Sequence, residues 1–152
     1  MNPAHGQLEH QVRERTRDLE AAIERLRLRE NETRTLVENS QDLIFRFDLE
    51  GRHIYANLAA AKLYGRNLDD LRGRRMRDLG TGRETWESAR AIFDRVVASG
   101  AEAGGQIAHG TGERRRYYDT RFVPEFGADG VLASILVVAR DVTERVRMEE
   151  QV

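Results

Sequence analysis

The stretch DLIFRFDLEGRHIYAN, Asp42 to Asn57, is where this chain stops reading as a helix and begins reading as a sheet. Leu43, Phe45 and Phe47 alternate with Ile44, Arg46 and Asp48, and a period of two sends successive side chains to opposite faces of a half-buried strand. Asp48-Leu49-Glu50-Gly51 supplies turn residues, with Gly51 free to take a positive φ that other residues resist. Arg52 to Ala56 returns as a second strand, so 42–56 predicts a hairpin. Asn57 is placed to cap a short helix over 58–64 that Gly65 ends.

Upstream, from about Gln7 to Asn39, there is no Gly or Pro and charge is dense. Val12, Leu19, Ile23, Leu26, Thr33 and Val37 fall on a 4-3 spacing once Thr16 and Glu30 are counted as polar members of the same seam. A heptad stripe of that kind, flanked by Arg and Glu, predicts a parallel two-stranded coiled coil and hence a homodimer through this N-terminal helix. At ~1.5 Å per residue the helix is roughly 50 Å long. Its two polar seam positions make the coiled coil weak. A solvated single helix held by Arg–Glu pairs is the alternative.

Downstream, a second short helix is expected around 68–71, ending at Gly73. Over 84–99 the residues Trp86, Ala89, Ile92, Phe93, Val96 and Val97 mark one face of a longer helix, which Gly100 stops. Strands follow over 103–108, 114–125 and 131–140, with turns at Gly110-Thr111-Gly112 and Gly127-Ala128-Asp129-Gly130. Tyr118, Thr120 and Phe122 share one side of the middle strand, opposite Tyr117, Asp119, Arg121 and Val123. The unbroken apolar run Ile135 to Ala139 suits a central strand covered on both faces. Strands joined by tight turns are antiparallel, so the expectation is an α+β domain with a five-stranded antiparallel sheet and its helices on one face. The long coiled-coil helix precedes it. The chain divides into a helix over 1–39, a domain over 40–142 and an outgoing helix from 143 to 152.

Composition narrows the function. The 152 residues carry 25 basic and 26 acidic side chains, for a net charge of −1, whereas nucleic-acid affinity draws on an excess of cations. The runs Arg114-Arg115-Arg116 and Arg72, Arg74, Arg75, Arg77 have no interleaved aromatic platform and read as solvated faces. No nucleic-acid partner is therefore expected. Cysteine is absent, which removes disulfides, thiolate catalysis and cysteine-held metal. No metal-ligand spacing stands out. No Ser–His–Asp, paired-carboxylate or phosphate-loop signature can be assembled, so the chain reads as non-catalytic. No apolar run is long enough for membrane insertion, and the expected location is the cytoplasm.

The residues also resemble a known family, the PAS sensor domains, over Leu36 to Met148. LVENSQDLIFRFDLEGRHIYAN is similar to that family's first helix end and opening two strands, LRGRRMRDL to the segment leading to its long helix, and RYYDTRFVPEF with GVLASILVVARDVTERVR to its last strands and the Asp-x-Thr junction beyond. VRERTRDLEAAIERLRLRE resembles the signalling helices that precede such domains in bacterial histidine kinases and diguanylate cyclases. The resemblance implies a sensor of a two-component or related bacterial pathway, coupled through Asp141-x-Thr143 to an effector. The chain stops about two turns into its last helix, and an effector is expected after Val152 in a longer sensor.

Capping logic gives the junction a physical reading of its own. Asp141 is placed to accept from the first free N–H groups of the last helix, and Glu144 to reach back, an Asp form of the capping box worth ~1 kcal/mol. Asp141, Thr143 and Glu144 are thus the expected relay residues. An inner strand would run without a flexible linker into a helix that leaves.

The resemblance implies an interior that holds haem, a flavin, a small carboxylate or nothing in different members. Haem is not expected here, because the 84–99 helix has no His, leaving His53 and His109 as the remaining axial candidates in the domain. A cysteinyl-flavin adduct is excluded. A small organic ligand stays open, against large residues Phe45, Phe47, Tyr55, Trp86, Phe93, Tyr118 and Phe122, with Thr120, His109, Tyr118 and Arg121 as polar fixtures. Simple core filling is the competing reading of the same residues, and it leads to a ligand-free dimerisation module. Strand register decides which of them point inward.

Overall fold

The computed structural model describes residues 3–151; residues 1, 2 and 152, the outer ends of the segments 1–39 and 143–152, lie outside the described residues. It divides into two compact units between Val37 and Glu38. Helix α1 runs from Pro3 to Asn39. In this single chain its stripe is bare: Val12, Leu19, Ile23 and Leu26 are 57, 63, 47 and 60% exposed, Thr33 is exposed and Val37 half-buried. His5–Glu9 and His10–Glu14 pair one turn apart at 3.0 and 3.2 Å.

The second unit is built as the alternating patterns require. Strands β1 (Leu43–Phe47) and β2 (His53–Ala56) form the hairpin, and α2 (Leu58–Tyr64), α3 (Leu68–Leu71) and a single 3-10 turn (Met76–Leu79) lead to α4 (Arg83–Ser99). Strands β3 (Ala103–His109), β4 (Arg116–Phe126) and β5 (Leu132–Asp141) follow, then α5 (Thr143–Glu150), which falls in the same unit as the sheet. The sheet order is β2-β1-β5-β4-β3 and every pair is antiparallel. The helical segment between β2 and β3 therefore carries the chain from one edge of the sheet to the other. Helices α2, α3 and α4 touch the strands they cross.

Register fixes the two faces. Phe45 lies opposite Val137, and Thr120 opposite Ala139. Leu43, Phe45, Phe47, Ile107, Tyr118, Thr120, Phe122, Ile135, Val137 and Ala139 are buried against Ala60, Leu71, Ala89, Ile92 and Val96. The expectation that β5 is covered on both faces needs correction. Only Ile135, Val137 and Ala139 are buried, and the intervening Leu136 and Val138 are half-exposed. Their unbroken apolar run reflects a central strand with an apolar outer face, on which Arg46 reaches across to Glu125. The guanidinium donates to both carboxylate oxygens at 2.7 and 2.8 Å, and Ser134 Oγ donates to the same carboxylate at 2.9 Å. The Arg46 hydrogen bonds hold the Glu125 carboxyl below the usual carboxylate range.

Asn57 ties the hairpin to α2. Its Oδ1 accepts from Ile44 N–H and Ala60 N–H, both at 3.1 Å, its Nδ2 donates to Asp42 C=O at 2.9 Å, and its own N–H donates to Ile44 C=O at 3.0 Å. The residue is 0% exposed.

Candidate functional site

Among the described residues, two of the hollows lie between the sheet and its helices. The interior one is small, about 50 Å³, and is walled by Phe45, Phe47, Tyr118, Thr120 and Phe122 from the sheet, His109 at the end of β3, and Tyr64, Thr81 and Thr85 from the helical segment. Its threonine hydroxyls are already committed. Thr85 Oγ1 donates to Ala108 C=O at 2.8 Å, Thr120 Oγ1 to Gly105 C=O at 2.7 Å and Thr81 Oγ1 to Met76 C=O at 3.0 Å. His109 Nδ1 is buried without a hydrogen-bond partner, and burial pushes its pKa down. A hollow of this size holds a water or two. Helix α4 presents no His to it. Among the described residues no cluster of three His, Asp or Glu could hold a metal ion.

Beside it lies His53, 2% exposed, on β2. Its Nδ1 sits 2.6 Å from Arg74 C=O, which can only accept, so that nitrogen carries the proton. Nε2 then accepts from Tyr64 Oη at 3.2 Å. The ring meets Phe47 at 4.6 Å, Tyr64 at 5.3 Å and Phe45 at 5.9 Å between centroids. Desolvation lowers the His53 pKa, only partly offset by the Arg74 carbonyl, and desolvation raises that of Tyr64. Both are neutral at pH 7.

The second hollow is an open cleft of about 300 Å³ between the β1–β2 turn, the 3-10 turn and α4. Phe47, Trp86, Phe93 and Phe122 line it, with Arg75, Arg77 and Arg90 at its edge. Phe47 and Phe93 meet edge to face at 6.2 Å, and Gly51, with φ +83°, makes the turn that borders it. Phe47 and Phe122 belong to the walls of both hollows.

The structure thus separates the sequence candidates into two groups. Phe45, His109, Tyr118 and Thr120 meet at the interior, Trp86 and Phe93 at the cleft, and Phe47 and Phe122 at both. Tyr55 joins neither. A register shift between Arg46 and Phe47 turns both His53 and Ala56 inward and leaves Tyr55 on the outer face, where its hydroxyl donates to Glu38 at 2.5 Å. Arg121 is also on the outer face, paired with Glu102 at 2.7 Å. Sequence reasoning missed Tyr64, Thr81 and Thr85, which lie on helices or turns with no strand alternation to orient them.

At the far end of β5 the junction is bonded more tightly than capping alone would make it. Of the expected capping box the Asp141 half forms and the Glu144 half does not. Val142 occupies the cap position without a side-chain bond, and Glu144 is exposed. Asp141 Oδ1 accepts from the N–H of Thr143, the first residue of α5, at 2.9 Å and also from the Thr143 hydroxyl. That hydroxyl oxygen accepts from Tyr117 N–H at 2.9 Å, and Tyr117 C=O accepts from Val142 N–H at 2.8 Å. Both backbone groups of Tyr117 are therefore used by the junction. Helix α5 is held further by Arg147, donating to Glu113 C=O at 2.8 Å and Arg115 C=O at 3.1 Å, and by Arg145 on Asp119 at 3.2 Å. Thr143 is 2% exposed.

The family model described as PAS fold matches residues 37–147. A PAS domain of a protein from Colwellia psychrerythraea superposes with a TM-score of 0.61 at 19% identity, over 75% of this chain and 97% of that one. The PAS domain of BvgS from Bordetella pertussis gives 0.61 at 22% identity, over 81% and 93%. VqmA from Vibrio cholerae, described as a dimer and a DNA-binding LuxR-type receptor, gives 0.62 at 20% identity over 78% of this chain and 55% of its own. None of the curated proteins matches the chain.

Proposed function

Because the chain belongs to the PAS fold family, we propose that it is a sensory relay module of a bacterial signal-transduction protein, cytoplasmic and dimeric. A change in the domain passes through Asp141 and Thr143 to a downstream effector. The observation that carries this reading is the double use of Tyr117: strand β4, the end of β5 and the start of α5 are joined by four hydrogen bonds at Asp141, Val142 and Thr143. A shift of either strand is then carried into the helix, because no unbonded peptide lies between them.

Replacing Thr143 with Val keeps the shape and removes the hydroxyl. The Tyr117 amide loses its acceptor, and a lost bond of this kind is worth about 1–2 kcal/mol. Hydrogen exchange at Tyr117 and Val142 is expected to speed up about tenfold while Ile135 and Val137 stay protected. In the parent protein the same substitution uncouples output from stimulus. Output that still follows the stimulus after the junction amides are freed would sink the relay.

The dimer is read from the exposed α1 stripe. Exposed apolar side chains at heptad spacing are stable in water when a second helix covers them. Replacing Leu19 and Leu26 together with Asp should leave a monomer by sedimentation, with the domain's melting temperature unchanged. Undiminished self-association would move the dimer contact elsewhere.

The smallness of the interior favours a second reading, a dimerisation module with a filled core and no ligand. Native mass spectrometry separates the two, since only the sensory reading admits a small molecule that travels with the protein.

A further inference from the structure

We propose that the cleft beside α4, rather than the smaller interior hollow, binds a small aromatic anion: a flat ring carrying one carboxylate or comparable head. The proposal rests on the sensory reading and names its ligand class. Size favours this hollow, since about 300 Å³ against about 50 Å³ separates room for a ring from room for water. The floor is made of Phe47, Trp86, Phe93 and Phe122, and aromatic faces and edges of this kind hold a ring by stacking and edge-to-face contact.

Spare donors select the head group. Arg75, Arg77 and Arg90 reach the lining, each beside one carboxylate, Glu50, Asp78 and Asp94, so their unused N–H groups rather than a charge surplus favour an anion. The ion pairs of these arginines are loose: Arg75–Glu50 at 3.8 Å, Arg77–Asp78 at 3.7 Å and Arg90–Asp94 at 3.5 Å. Arg46–Glu125 on the outer face closes to 2.7 Å. Charge-assisted pairs at full strength are near 2.7–2.9 Å. Arg75 Nε is taken by Glu50 C=O at 3.1 Å, but the terminal nitrogens of the three guanidiniums keep donors for a carboxylate, which the planar fork grips in two places. The site also sits where a sensor needs it. Phe47 pairs with Ile135 and Phe122 with Val137, so an occupant rests on both neighbours of the strand that ends at Asp141.

Trp86 is the only tryptophan, so its fluorescence reports the cleft directly. Titrating the whole chain with benzoate should give a saturable change. Benzyl alcohol should bind at least tenfold more weakly, and benzamidine should give none. Arg75→Gln and Arg90→Gln should each weaken benzoate about tenfold at an unchanged melting temperature, while Arg116→Gln, whose guanidinium stands 3.6 Å from Asp141 and lines no part of the cleft, leaves it unaltered. Absence of saturation with benzoate, equal response to benzamidine, or indifference to both cleft substitutions overturns the proposal. So does a benzoate-induced amide shift pattern centred on Leu43, Ile107 and Ala139 rather than on Trp86 and Phe93. A failure here leaves the junction test with Thr143→Val standing, and a failure there leaves benzoate binding measurable.

Discussion

Replacing Asn57 with Ala is expected to cost the domain about 3–4 kcal/mol. One side chain supplies three hydrogen bonds in a fully buried position. Removing it takes the cap from α2, worth ~1 kcal/mol. It also leaves Ile44 N–H and Asp42 C=O without their side-chain partner, at about 1–3 kcal/mol each where water cannot replace it. Against a total stability of about 5–15 kcal/mol, the melting temperature should fall by roughly 10–20 °C. Asn57→Ser keeps the cap oxygen but not the reach to Asp42, and should recover about 1 kcal/mol of the loss. Thermal melts of the three chains decide it, and a loss below about 1 kcal/mol for the Ala chain would show that water or a rearranged loop satisfies these groups.

Acid should weaken the fold well before its carboxylates protonate, because of His53. Burial lowers its pKa below the ordinary 6.5. The folded state holds the ring neutral, while the unfolded chain takes up a proton near pH 6.5. Stability is therefore complete above that value and declines as pH falls toward the folded pKa, by up to about 1.4 kcal/mol per pH unit per group. His109, shifted in the same direction by burial, adds to the slope. Glu125, whose pKa is lowered, contributes in a separate window below about 4.5, where its unfolded form protonates. Urea midpoints should drop steadily from pH 6.5 to 5.5 and stay flat from 7.5 to 8.5. An NMR titration in which the folded His53 ring gains its proton at or above pH 6.5 would contradict this.

The period-two alternation of Leu43, Phe45 and Phe47 and of Tyr118, Thr120 and Phe122 marked both strands and grouped the residues that share a face, while the choice of the face turned inward came only with the register of the sheet. The capping side chain Asn57 and the glycine stops at Gly65 and Gly100 were equally legible, being local effects. What was hidden is non-local. The register shift opposite β2 reverses the expectation for Tyr55 and makes His53 a core residue, and a shift of register leaves no mark on alternation. The Asp-x-x-Glu pattern at the junction suggested a capping box, yet Thr143 is tied to Tyr117, a residue 26 positions earlier. Capping rules see four residues and cannot see that. The two hollows escaped for the same reason: Met76, Ala89 and Phe93 meet the sheet only after the chain has crossed it.

The order β2-β1-β5-β4-β3 has one further consequence. The first strand and the last are hydrogen-bonded neighbours, Leu43 lies opposite Ala139, and Arg140 reaches Asp42. The peptide thus comes in and goes out side by side, at the same corner of the sheet. A fold wired in this way can be spliced into a longer helical shaft as a cassette, duplicated or exchanged for another, with both cuts made at a single place and little rebuilding of the flanks.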